Sequence, residues 1–212
     1  MKKLILSIVL ISSLLTSCSG LGEEKKILET FEGYKRALLD QNGLLSVDFV
    51  TKETIALYQQ YLDWAKTATG EELAKLSLIN QIQVILIRHS CPQDVVLELD
   101  GKGIFIYAVD RGWIDSRIVV NAGLTDVTIS ANKAHGFIVQ NGVKTAEKFH
   151  FIKQDGKWRF DLSRIISEAN SLLAKMVKES GMTEKQFIIS CSKAISNETV
   201  SETIWDPMVA ED

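Results

Sequence analysis

The stretch FHFIKQDGKWRFDL, residues 149–162, carries the strongest fold signal in the sequence. Apolar and polar side chains alternate on both sides of Asp155-Gly156, a dipeptide that favours a two-residue hairpin turn. Such a turn fixes which residues lie opposite each other, and it places Phe151 across from Phe160. The sequence therefore predicts an antiparallel hairpin with one aromatic face.

The same alternation continues upstream of this hairpin. Turn signals at Ala131-Asn132 and Asn141-Gly142 divide the region into further strands. The predicted strands span residues 117–121, 124–130, 134–140, 145–153 and 157–161. The apolar residues that share one face of this meander are Val127, Ile129, Ile138, Phe149, Phe151, Trp158 and Phe160. We expect this concave face to pack against helices.

Helical spacing governs the segments on both sides of the meander. Apolar residues recur at intervals of three and four over residues 24–41 and in a helix beginning near Thr51. Thr69 and Glu72 form a capping box that predicts a third helix continuing to Ser90. Residues 94–114 are compatible with strand or helix, and a short helix over 102–113 is the favoured interpretation. Further helices are predicted over 163–179 and from Thr183 to about Ser196. The predicted fold class is α+β, with N-terminal helices packed on a curled antiparallel β-meander and C-terminal helices added.

The first residues have the organisation of an export signal. Lys2 and Lys3 precede an apolar run from Leu4 to Leu15, which is too short to span a bilayer comfortably. Residues 15–18, Leu-Thr-Ser-Cys, resemble the lipobox of bacterial lipoproteins. The resemblance implies cleavage after residue 17 and a diacylglyceryl group on Cys18. An ordinary secreted protein is the alternative.

Acylated Cys18 would hold the protein in the cell envelope through membrane lipid, outside the cytoplasm. Ser19 follows the cysteine, which by resemblance to Gram-negative sorting favours the periplasmic face of the outer membrane if the organism has one. The predicted parts of the chain are a signal peptide over 1–17, a lipidated tether over 18–26, a cone-shaped domain over 27–162 and a C-terminal helical extension over 163–212, packed on the same domain.

Charge and cysteine content limit the classes of partner and cross-link. The chain has a net charge of −3, and loss of Lys2 and Lys3 with the signal would make it −5, so no basic surface for nucleic acid is expected. With Cys18 assigned to lipid, Cys91 and Cys191 remain. In an oxidising compartment they form either a disulfide or two separately buried thiols.

Helices followed by a meander that closes on residues 149–162 resemble the ketosteroid-isomerase-like, cone-shaped α+β superfamily, also called cystatin-like. The resemblance covers roughly residues 24–162. Its members include isomerases, hydrolases, cyclases, dehydratases and non-catalytic binding modules, so the fold alone does not determine function. It also implies a homodimer contact through the outer face of the sheet.

An enzyme of that superfamily needs a carboxylate base inside the cone. The predicted register places Glu147 opposite Gly136 on the concave face, which makes Glu147 the candidate catalytic base. A rim position facing solvent is the alternative. The candidate ligand-binding residues come from helices and sheet together: Tyr61, Trp64, Tyr107, Phe149 and Phe151.

Polar residues gather instead on the outer sheet face. They are His135, Lys148, His150, Arg159 and Asp161, with His150 predicted opposite Asp161. No serine or cysteine nucleophile accompanies them, and no metal-binding spacing or cofactor motif is evident, so we interpret the cluster as a cross-strand ion pair.

The sequence favours a non-enzymatic ligand-binding or protein-interaction module of the envelope, whose partner is an apolar small molecule or an envelope protein. An isomerase-like or hydrolase-like enzyme that uses the cone cavity is the alternative.

Overall fold

A computed structural model describes residues 6–114 and 116–209, with the backbone alone for residues 6–20, 118 and 202. The fold is α+β, as the sequence predicts: helices precede a four-stranded antiparallel sheet, and further helices follow it. The helices before the sheet are α1 Leu6–Leu39, α2 Gly43–Ser46, α3 Lys52–Thr67, α4 Gly70–Leu73, α5 Leu78–Ser90, α6 Gln93–Glu98 and α7 Gly101–Asp110. Those after it are α8 Leu162–Ser180 and α9 Glu184–Ser196.

Helix α1 is longer than the sequence predicts. It begins at Leu6 and includes residues 18–26, which were expected to form a tether. Lys2 and Lys3 of the predicted export signal lie outside the described residues, and the side chain of Cys18 is likewise not described. From Ile27 onward, the apolar side chains on one face of α1 are buried, and Phe31 and Tyr34 belong to the core.

Local capping chemistry sets most of the other helix boundaries. Thr51 caps α3, Asp100 caps α7 and Thr183 forms a capping box with Gln186 at the start of α9. The capping box of Thr69 and Glu72 is present, but it starts only the single turn of α4. The prediction of one continuous third helix is wrong, because the chain breaks after α4 and restarts at Leu78.

The sheet has the order β1-β2-β3-β4, formed by Ala122–Ser130, Lys133–Gln140, Val143–Gln154 and Lys157–Phe160. The strand predicted over 117–121 is wrong. A 3-10 helix, Ser116–Ile118, occupies its start, and Asn121 adopts a left-handed backbone conformation that turns the chain into β1. Phe151 pairs with Phe160, as the hairpin signal predicts.

The register between β2 and β3 differs from the prediction. Gln140 pairs with Val143 beside the turn, but Gly136 pairs with Phe149 rather than with Glu147. A bulge between these pairs shifts the register by two residues. Because side chains alternate with a period of two, the shift leaves Phe149 on the inner face while removing Glu147 from its predicted partner.

The C-terminal helices pack on the same body as the N-terminal ones. Phe187 and Ile188 of α9 are buried, and α9 lies against α5. Arg88 of α5 is almost fully buried. Its guanidinium donates to the carbonyls of Trp64 (2.9 Å), Ala65 (3.0 Å), Ala68 and Ile204 (3.3 Å), and so ties the end of α3 to the C-terminal segment.

Candidate functional site

The inner sheet face is filled by aromatic packing. The ring centroid of Phe149 lies 5.4 Å from that of Phe31 and 4.9 Å from that of Phe160, which also contacts Phe151 at 5.4 Å. Phe149 and Phe151 are only 3% and 1% exposed. Both candidate ligand-binding residues on the sheet therefore belong to the core that joins the sheet to α1.

The helix-borne candidates lie elsewhere. Tyr61 is fully buried, and its hydroxyl donates to Oδ1 of Asn80 at 3.1 Å, while burial raises its pKa. Trp64 stacks beside it with centroids 6.2 Å apart. Tyr107 is partly buried and meets Trp113 edge to face at 5.3 Å. The structure thus brings Tyr61 and Trp64 together, but it does not gather the five predicted residues around one cavity.

Glu147 occupies the bulge of β3 and is exposed. A side-chain hydrogen bond from Thr145 lowers the pKa of Glu147. A carboxylate base of the isomerase type lies inside the cavity, within reach of the substrate, where burial raises its pKa modestly. Glu147 has the opposite environment.

A groove of about 480 Å³ crosses the outer face of the sheet. We call it the histidine groove, and its lining residues are Thr128, Ser130, Lys133, Ala134, His135, Ala146, Glu147, Lys148, His150, Arg164 and Glu168. Strands β1 to β3 supply the floor. The first turns of α8 supply one wall, because α8 begins two residues after β4 ends and runs beside β3.

Two imidazoles form the centre of the histidine groove. His135 and His150 are direct cross-strand partners with ring centroids 6.1 Å apart. Nε2 of His150 lies 3.7 Å from Oε1 of Glu168, and that oxygen accepts a hydrogen bond from Nε of Arg164 at 3.2 Å.

The predicted pairing of His150 with Asp161 holds only for the backbone. The amide of Asp161 donates to the carbonyl of His150 at 2.8 Å. The carboxylate of Asp161 instead accepts from the hydroxyl of Ser163 at 2.6 Å. The acidic neighbour of His150 in the groove is therefore Glu168.

The groove favours the neutral form of both imidazoles by lowering their pKa values. Burial, followed by the charges of Lys148 and Arg164, lowers the pKa of His135. Burial and Arg164 lower the pKa of His150, with Glu168 opposing them. The lining contains three permanent cations, Lys133, Lys148 and Arg164, against the carboxylates of Glu147 and Glu168. The groove thus has a small excess of positive charge and two proton acceptors.

Sequence reasoning missed Arg164 and Glu168. Their i, i+4 spacing indicates a helical ion pair, but nothing local indicates that the helix lies beside the sheet. The one available signal is the absence of a loop between Phe160 and the helical pattern that begins at Leu162.

A second pocket, of about 380 Å³, contains a serine and a histidine in contact. Nε2 of His89 lies 2.9 Å from Oγ of Ser196, but this hydroxyl donates to the carbonyl of Ser192 at 2.9 Å and accepts from the amide of Glu198 at 3.2 Å. A hydroxyl has one proton to donate, so His89 acts as a donor to Ser196. The pair lies at the C-terminal end of α9 and does not have the hydrogen-bond direction of a nucleophile and its base.

Both candidate disulfide residues are free thiols in the structure. Cys91 is buried at the end of α5, and Cys191 is half-buried on α9. Burial raises the pKa of each thiol, which disfavours the nucleophilic thiolate.

Within the described ranges, no three His, Cys, Asp or Glu side chains are grouped as a metal ion would require. Across residues 6–114 and 116–209, no helix combines the length and apolarity needed to cross a bilayer.

The structure is that of an α+β protein with an aromatic interior and a mixed-charge groove on the outer face of its sheet. Comparison of the chain with protein-family models, with curated proteins and with solved structures gave no match. The resemblance to the ketosteroid-isomerase-like superfamily therefore stays a prediction, based on the closing hairpin and the order of the elements.

Proposed function

We propose that the protein is a lipid-anchored, extracytoplasmic binding module without catalytic activity, and that its histidine groove accepts an anionic phosphate or carboxylate group. The observation that carries the proposal is the contrast between the filled inner face and the open groove on the outer face, whose lining has a small excess of positive charge. The anchor is proposed from the charged, apolar and Leu-Thr-Ser-Cys regions that precede residue 19.

The chemistry of the groove supports an anionic ligand. Arg164 offers a planar fork of donors suited to carboxylate or phosphate oxygens, and its present acceptor is a half-exposed glutamate that a ligand could displace. Each imidazole can donate an N–H to a bound oxygen, and an anion would favour its protonated form. These groups recognise charge and geometry without supplying a nucleophile.

An enzyme that uses the cone remains the alternative. Its base would be Glu147, and the exposure and lowered pKa of Glu147 argue against that role. If the alternative is right, Glu147→Gln abolishes an activity while the protein stays folded.

Calorimetric titration of the mature protein in detergent, with inorganic phosphate and separately with succinate, tests the proposal. We expect Arg164→Gln to weaken binding about tenfold, because one charge-assisted contact contributes about 1.5 kcal/mol. Comparing the two anions identifies the preferred group.

Lys175→Gln is the matched control. Lys175 forms an i, i+4 ion pair with Glu179 on the same helix, as Arg164 does with Glu168, but it lies outside the groove. Absence of binding of either anion, or equal losses in the two variants, would refute the groove as the binding site.

A further inference from the structure

Glu23 ties the start of the folded body to the last hairpin. One carboxylate oxygen, Oε2, accepts from the indole Nε1 of Trp158 at 2.8 Å and from Nζ of Lys153 at 2.5 Å. The other, Oε1, accepts from Nζ of Lys26 at 2.8 Å. Three donors on one carboxylate make a clamp between α1 and the β3–β4 hairpin, and they lower the pKa of Glu23 to about 2.

The clamp lies only five residues after Cys18. Five residues span at most roughly 18 Å when fully extended. In the helical conformation that α1 adopts, they span about 8 Å. The predicted tether is therefore a short connection, whatever its conformation.

The sheet has two distinguishable ends. The near end carries the turns at Ala131-Asn132 and Asp155-Gly156, which are joined by a hydrogen bond from the amide of Lys153 to the carbonyl of Asn132 at 2.7 Å. The Glu23 clamp belongs to this end, because it holds Trp158 and Lys153.

The far end carries the Asn141-Gly142 turn. Helix α1 reaches it about three turns after the clamp, where Nζ of Lys35 donates to the carbonyl of Ala122 at 3.0 Å. Strand β3, with 12 residues, separates the two ends by roughly 35 Å.

We propose that the near end of the sheet faces the bilayer to which Cys18 is anchored, and that the far end points away from it. This orientation rests on the lipidation of Cys18 in the proposed function. The partner is a lipid headgroup surface, held close by the short connection and fixed in angle by the clamp. The polar near end is compatible with headgroups: Lys52 and Asp155 form an ion pair there at 2.9 Å, and Lys157 is exposed.

The test uses the lipidated full-length mature protein in phosphatidylcholine vesicles that carry nickel-chelating lipids. A spin label is placed at Lys157→Cys in the near end or at Val143→Cys in the far end, in a background with Cys91→Ala and Cys191→Ala. Val143 is 68% exposed, and Lys157 is also exposed, so both labels sit on open surface. We expect relaxation by headgroup Ni²⁺ to be several-fold stronger at position 157.

Two further variants separate the clamp from the anchor. Glu23→Ala should reduce the difference in relaxation between the two label positions, because the folded body can then change its angle relative to the bilayer. Glu24→Ala, which removes a neighbouring carboxylate, should leave the difference unchanged. Circular dichroism confirms that both variants are folded.

Flotation of the protein with the vesicles reports the lipid anchor. If the protein floats but relaxation is equal at the two label positions, the proposed orientation is refuted and the anchor is not. Stronger relaxation at position 143 would overturn the orientation as well. Protein that does not float with the vesicles would refute the anchor, and the orientation with it.

Discussion

The two faces of one sheet have opposite characters. On the inner face, Phe149, Phe151 and Phe160 pack against α1 in a continuous aromatic cluster. On the outer face, His135 and His150 lie side by side in an open groove walled by α8. The same strands thus serve two purposes: the inner residues stabilise the fold, and the outer residues line the groove for which we propose anion binding.

The largest expected effect is on the inner face. Phe160→Ala should lower the free energy of unfolding by about 3–5 kcal/mol, because it removes a fully buried ring that contacts Tyr34, Phe149 and Phe151. Urea titration followed by circular dichroism measures this loss.

Phe137→Ala is the matched change on the outer face. The ring of Phe137 is only half-buried. The Nζ atoms of Lys144 and Lys148 lie 4.0 and 4.7 Å from its centroid. We expect a loss of about 1 kcal/mol. Comparable losses from the two substitutions would contradict the division between the faces.

The next effect concerns the buried arginine of the helical layer. Arg88→Met should lower the free energy of unfolding by about 2–4 kcal/mol, because the carbonyls of Trp64, Ala65 and Ala68 lose the charged guanidinium donor. Burial lowers the pKa of Arg88 to about 10, so it remains charged at neutral pH. The same urea titration on Arg164→Met should show a change within about 0.5 kcal/mol, since Arg164 is exposed. A smaller loss of stability from Arg88→Met than from Arg164→Met would contradict this description of the buried arginine.

Low pH should reduce the free energy of unfolding, in part through protonation of the two histidines on the outer face of the sheet. Folding lowers the pKa of His135 and of His150 below the ordinary histidine value. At a pH between the lowered and the ordinary pKa, the unfolded chain therefore binds more protons than the folded chain. Stability from the two neutral imidazoles is therefore complete above the ordinary histidine pKa and is lost as the pH falls below it.

Urea titrations at pH 7.5 and 5.5 measure this pH dependence. The double variant His135→Gln, His150→Gln should lose less stability between the two pH values than the wild type. His89→Gln is the control, and an unchanged pH dependence in the double variant would refute the electrostatic description of the groove.

The smallest effect is expected at Glu147. Glu147→Gln should change the free energy of unfolding by no more than about 0.5 kcal/mol, since the side chain is exposed. Phosphate binding should become slightly tighter, because one negative charge leaves the groove lining. Weaker phosphate binding, measured by calorimetry, would contradict the electrostatic attraction on which the proposed binding depends.

The sequence predicts the features that depend on neighbouring residues. The Asp155-Gly156 hairpin, the capping box of Thr69 and Glu72 and the apolar inner face follow from turn, capping and periodicity rules. Features that depend on distant contacts were wrong or missing. The bulge in β3 moved Glu147 away from Gly136, and no local pattern indicates that Arg164 and Glu168 wall the groove.

The central claim is that ligand binds to the outer face and not to the interior. Nuclear magnetic resonance tests it most directly, by following the imidazole signals of His135 and His150 and the ring signals of Phe149 and Phe151 while inorganic phosphate is added. The account predicts changes confined to the imidazoles, with both histidine pKa values raised by the bound anion. Changes at Phe149 and Phe151, with the imidazoles unaffected, would place the site inside the cone and contradict the account.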